Sequence, residues 1–162
     1  MDRETVLMPA DPAAPDDALA AQPIGYWSGL AHRAVIGRIR DEMARIDVTQ
    51  PQWWTLNTVD VGDGRVREEV IERLAHVGDG PQEISRAVDQ LLHRGWLTLG
   101  AAHRLVLTES GRDAKARIKQ LVTGLRAEIH DGIPDEDYVT ALKVLRRMTD
   151  NIARQNTRDL ER

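Results

Sequence analysis

Between Asp79 and Trp96 the chain reads DGPQEISRAVDQLLHRGW. Gln82, Ser85 and Arg86 fall within two turns of a helix whose other side carries Ile84, Val88, Leu91 and Leu92. Their chemistry is hydrogen bonding rather than bond making. A glutamine amide matches the adenine edge, and an arginine fork matches guanine or a phosphate. Glu83 can accept from cytosine N4 or favour the positive end of the helix dipole. The same side chains also suit a plain solvated face, with Arg86 tied to Asp89 or Asp79. His103 and Arg104 sit together in a short turn, and Arg65 and Arg67 open an earlier helix. These arginines suit phosphate, and Arg104 also a narrow minor groove. The plainer alternative is an exposed turn residue.

A second group is aromatic. Tyr26, Trp27, Trp53 and Trp54, with His32 and Arg33, have the composition of an apolar pocket with a cationic anchor for an aromatic acid. Packing of one helix on another explains each residue singly. Catalytic and metal chemistry lack a constellation. The five histidines (32, 76, 93, 103 and 130) include no pair at ligand spacing, and the chain has no cysteine. No Ser/His/Asp set accompanies a strand-turn-helix, and GDGRV and VGDG are turn sequences. The expectation is a protein that is not an enzyme and needs no cofactor or metal.

Helices must position these side chains. Ile24, Trp27, Ala31, Val35, Ile39, Met43 and Ile46 form the stripe of one long helix. Thr49 can cap a second helix near Pro51, which suits a first turn. A third spans about Val66 to His76. Asp79 and Gln82 have capping-box spacing ahead of a fourth, which should stop at Arg94-Gly95. In WLTLGAAHRLVLT, Leu97, Leu99, Leu105 and Leu107 alternate as in a hairpin with one buried face. Thr108 can cap a fifth helix, and PDEDYVTALKVLRRMTDNI makes a sixth with Leu142, Leu145, Met148 and Ile152 on one side.

The sequence thus predicts a mainly α chain with a small β-hairpin wing, a winged helix-turn-helix. Residues 1–22, rich in Ala, Pro and Asp, are expected as a disordered tail, and 156–162 as a second tail. Residues 49–108 should form the winged lobe, and 23–48 with 109–155 the dimerisation helices of a single 23–155 domain. The 162 residues suit one domain, and 41% hydrophobic content suffices for a core. The net charge of −4 argues against a purely electrostatic nucleic-acid binder. No secretory leader is recognisable, and no run approaches the ~20 apolar residues of a membrane span. A cytoplasmic protein is expected, and the Arg- and Ala-rich composition suits a GC-rich bacterial genome.

ISRAVDQLLHRGWL, the hairpin and LTESG together resemble the multiple-antibiotic-resistance regulator (MarR) family of bacterial transcription factors. That family's fourth helix runs roughly V-S-R-L-V-D-x-L-x-x-R-G-L-V, and its fifth opens L-T-x-x-G. Ile84, Ser85, Arg86, Val88, Asp89, Leu91, Arg94, Gly95, Leu107, Thr108 and Gly111 occupy those places. TQPQWWTLNTV is similar to the family's second helix, and the likeness extends over about Ile24 to Ile152.

The resemblance implies a homodimer built from the first, fifth and sixth helices. It implies double-stranded DNA with a pseudo-palindromic operator as partner, the fourth helix in the major groove and the wing along the minor groove. It also implies repression relieved by a small aromatic or anionic ligand. On this reading Gln82, Ser85, Arg86, His103, Arg104 and Arg67 touch DNA, and Tyr26, Trp27, Arg33, Trp53 and Trp54 line the ligand pocket; the family's tie between this helix and its wing also implies, as an alternative for Arg104, an ion pair with Asp89. Two features depart from the family pattern. The wing loop is trimmed to GAAHR, and residues 65–104 hold six Arg against six acids. They motivate an alternative, a winged-helix dimer acting through protein contacts.

Overall fold

A computed structural model describes residues 16–160, with the side chains of 17, 159 and 160 left aside. The chain divides into two compact units, 1–48 and 49–162. The first holds a one-turn helix α1 (Asp16–Ala20), inside the expected tail, and α2 (Ile24–Arg45). The rest of that tail, 1–15, lies outside the described residues.

The second unit holds α3 (Gln50–Val59), α4 (Arg67–Leu74), α5 (Pro81–His93), β1 (Leu97–Leu99), β2 (Leu105–Leu107), α6 (Glu109–Ile129) and α7 (Asp135–Leu160). The expected fourth helix is therefore α5. Ile84, Ala87, Val88 and Leu91 recur at helical spacing on α5 and are all buried, which fixes its inward face. That face packs against α3, which buries Leu56 and Val59, and α4, which buries Val70. Leu97, Leu105, Ala114 and Ile118 complete the core.

Local chemistry sets the ends of these helices. Thr49 caps α3 in a full capping box: its hydroxyl accepts from Gln52 N, while Gln52 Oε1 accepts from Thr49 N at 3.1 Å. The box expected at Asp79 and Gln82 does not form. Gly80, at φ +99°, is the N-cap and Pro81 the first helical residue, so Gln82 stands one place too early. Glu83 instead reaches back, and Asp79 N donates to its Oε2 at 2.9 Å. At the other end Gly95, at φ +69°, closes a Schellman turn. Trp96 N donates to Leu91 O and Gly95 N to Leu92 O, both at 3.0 Å.

The wing pairs Leu97 with Leu107 and Leu99 with Leu105 in antiparallel register. Arg65 adds a third rung, its backbone bonded to Leu105 on the far side. The expected buried leucine face holds at three of its four positions. Leu97, Leu105 and Leu107 are buried, whereas Leu99, next to the turn, is 56% exposed. Thr108 caps α6 as expected, its hydroxyl accepting from Gly111 N. α7 continues to Leu160, so residues 156–160 are helical rather than a tail.

Candidate nucleic-acid interface

The outward side of α5 carries the candidate residues, in two classes. Gln82 and Arg86 are exposed, one turn apart, and directed away from the core. Arg86 Nε donates to Gln82 O at 3.3 Å, a local bond that leaves the end of its guanidinium outward. Among the described residues Arg86 pairs with neither Asp89, whose carboxylate holds Arg67, nor Asp79.

The remaining polar groups of the helix are bound within the protein. Arg67, at the first position of α4, reaches across to α5. Its NH1 donates to Asp89 Oδ1 at 2.6 Å, and its NH2 to both Ser85 O and Ser85 Oγ, at 2.9 and 2.7 Å. The hydrogen bond from Arg67 holds the Asp89 carboxyl below the usual carboxylate range, and the same bond raises Arg67. Gln90 Oε1 accepts from Gln52 Nε2 at 2.9 Å, tying α5 to α3. Glu83 is held by Asp79 N.

The wing residues also settle into defined places. Arg104 NH1 donates to Gly64 O at 2.9 Å, so the guanidinium is drawn back onto the turn before α4. The ion pair between Arg104 and Asp89 does not form, since Arg67 occupies that carboxylate. Arg65 is engaged too, Nε donating to Thr58 O with Glu69 3.8 Å away. His103 is exposed at the tip, where Ala102 and His103 both adopt left-handed backbone, at φ +53° and +55°.

Beside Arg86 a cleft of about 310 Å³ opens between the start of α3, at Thr49 and Pro51, and Asp79, Glu83 and Gln90. The five aromatic-pocket residues are divided between the two units. In the first, Tyr26 and Trp27 pack edge to face at 5.6 Å, Trp27 donates to Gln22, and Arg33 is exposed. In the second, Trp53 and Trp54 are half-buried, and Trp54 packs near Gly78 ahead of α5.

Two structural contributions escaped the sequence. The Arg67 clamp joins residues 18 and 22 positions apart, and the Arg65 rung lies in a segment that reads as a turn. The i, i+4 placement of Ser85 and Asp89 is a signal that one cation could span both. Among the described residues no group of three or more His, Cys, Asp or Glu could hold a metal ion. Among them also, no helix is long and apolar enough to cross a membrane.

No protein-family model matches the chain, and neither does any curated protein. Solved structures do match. The reduced form of MarR from E. coli superposes with a TM-score of 0.62 at 18% identity, over 83% of this chain and 98% of that one. The chain has the MarR winged-helix fold. A Mycobacterium tuberculosis MarR-family protein in complex with DNA matches with a TM-score of 0.63 at 16% identity, over 78% of this chain and 98% of that one. The transcriptional repressor CouR bound to p-coumaroyl-CoA gives 0.65 at 23% identity, over 78% and 91%. Within the MarR fold, α5 is the second helix of the helix-turn-helix and β1–β2 is the wing.

Proposed function

We propose that this protein is a sequence-specific, DNA-binding transcriptional regulator, a cytoplasmic homodimer that represses by placing one α5 helix in the major groove of each half of a pseudo-palindromic operator. The observation that carries the proposal is α5 itself: one face buried, with Gln82 and Arg86 exposed on the other. A helix so mounted reads base edges from its first two turns. The DNA-bound M. tuberculosis neighbour supports the same use of the fold.

The dimer is supported by α7. Val139, Leu142, Leu145, Met148 and Ile152 recur every three or four residues, and all are exposed, Ile152 at 62%. A second copy is the simplest cover for such a stripe. Release by a small aromatic or anionic ligand is supported by neighbours bound to p-coumaroyl-CoA and to p-aminosalicylic acid. A ligand acts this way only by binding one separation of the two α5 helices better than the other.

A second reading, a winged-helix dimer that works through protein contacts, is favoured by Arg104 being drawn back to Gly64 and by the −4 charge. A mobility-shift titration against the DNA upstream of the protein's own gene, with sedimentation of the free protein, separates the two. The regulator reading predicts a dimer that shifts this DNA in preference to a scrambled duplex. A dimer that shifts neither, nor any duplex from a random pool, favours protein contacts.

A further inference from the structure

Resting on the DNA-binding reading above, we propose that Arg67 sets the base specificity of α5 by withholding Ser85 and Asp89, so that direct readout of each half-site is confined to Gln82 and Arg86. Five polar side chains follow Gln82 along the first three turns of α5: Glu83, Ser85, Arg86, Asp89 and Gln90. Four of them accept hydrogen bonds from within the protein: Glu83 from Asp79 N, Ser85 and Asp89 from Arg67, and Gln90 from Gln52. Among the described residues the Gln82 side chain makes no hydrogen bond, and Arg86 makes only its local one to Gln82 O.

These bonds hold the four side chains in fixed orientations, so turning one of them towards a base would break a bond already made. For Asp89 the cost is highest, because its partner is a cation at 2.6 Å. The clamp also serves electrostatics. A bare carboxylate on the groove face would repel phosphates, and Arg67 neutralises it without presenting its own charge. Two readers remain. Side chains four apart on a helix stand about 5–6 Å apart, and bases along one strand rise about 3.4 Å. Gln82 and Arg86 therefore suit an adenine and a guanine one or two steps apart.

Removing the clamp should change what is read, as well as how tightly. In Arg67→Ala, Asp89 is left unpaired on the groove face, and a free carboxylate accepts from cytosine N4. The test is selection from a random DNA pool with the full chain, run in parallel on wild type, Arg67→Ala, Ser85→Ala, Gln82→Ala and Arg86→Ala. The wild type is expected to give two fixed positions per half-site. Gln82→Ala and Arg86→Ala should each lose one of them by about tenfold in preference. Ser85→Ala should leave both unchanged, and Arg67→Ala should gain a cytosine preference of about fivefold or more at a further position. Should Arg67→Ala not fold, Arg67→Lys serves: lysine lacks the fork by which NH1 takes Asp89 and NH2 takes Ser85, so the hold is weakened and the cytosine preference appears in weaker form. A Ser85→Ala motif that loses a position overturns the inference while leaving DNA binding intact. So does an Arg67 variant with the wild-type motif. No motif from the wild type removes the DNA-binding reading and this inference with it.

Discussion

Gly111, the glycine of LTESG, is a position where one methyl group should be ruinous. A Cβ built there lies 2.0 Å from Trp96 O and 2.9 Å from its carbonyl carbon. Carbon and oxygen approach no closer than about 3.3 Å without strain, so the α6 start and the Trp96 carbonyl must part by more than an ångström. The Gly95 and Trp96 carbonyls are also where α5 is fastened to α6. Thr108 Oγ1 donates to Gly95 O at 2.6 Å, Ser110 Oγ to the same oxygen at 3.0 Å, and Thr108 N to Trp96 O at 3.1 Å. A shift of that size breaks two or more of these bonds, at about 1 kcal/mol each. Overpacking against backbone adds about 1–3 kcal/mol, and the helix propensity gained by alanine returns less than about 1 kcal/mol. Gly111→Ala should therefore cost about 3 kcal/mol. Gly124 supplies the control, since it lies in the same helix and a Cβ there meets nothing within 4 Å. Gly124→Ala should stabilise by about 0.5–1 kcal/mol. Urea unfolding followed by far-UV circular dichroism measures both. If the two variants shift the midpoint in the same direction, or Gly111→Ala costs under 1 kcal/mol, the close approach at Trp96 is refuted.

Three further outcomes follow from the same geometry. Thr55 is fully buried and among the described residues its Oγ1 has no hydrogen-bond partner, so Thr55→Val should stabilise by about 1 kcal/mol in the same assay; a loss of stability would mean the hydroxyl is satisfied. Leu105→Ala should cost about 2–5 kcal/mol, because that side chain is fully buried; Leu99→Ala, more than half exposed, should cost well under 1 kcal/mol, and equal costs would deny this difference in burial. Asp89 titrates below the usual carboxylate range in the folded chain, so its contribution is present above the ordinary aspartate value, near 3.9, and lost as pH falls through the lowered value. Wild type should consequently lose its stability advantage over Asp89→Asn only in strong acid; the advantage is small, since the Asp89 side chain is 62% exposed, and one that vanished near neutral pH would contradict the pairing.

The fold was legible where a single residue type has one physical use. Thr49, Thr108 and Gly95 announced their caps, and the apolar spacing of Ile84, Val88 and Leu91 announced the inward face of α5. Legibility failed where the deciding partner is distant in sequence or a turn shifts the frame by one. Gly80 and Pro81 set the start of α5, so Asp79 could not pair with Gln82. Leu99 shares its alternation with Leu97, yet it stands beside the turn and is exposed. At the candidate site, residue types named Gln82, Ser85 and Arg86 alike. Only the position of Arg67 separates the engaged serine from the exposed pair.

The measurement that bears most directly on the central claim is fluorescence anisotropy of a labelled duplex carrying the site preferred by the wild type, titrated from low to physiological salt. Phosphate neutralisation releases counterions, so a major-groove reader should lose affinity linearly in log salt with a slope well below −1. Arg86→Ala should bind that duplex about tenfold or more weakly, with its preference over a scrambled duplex reduced. Binding that is flat in salt, or that Arg86→Ala leaves untouched, would contradict the assignment of α5 to the groove.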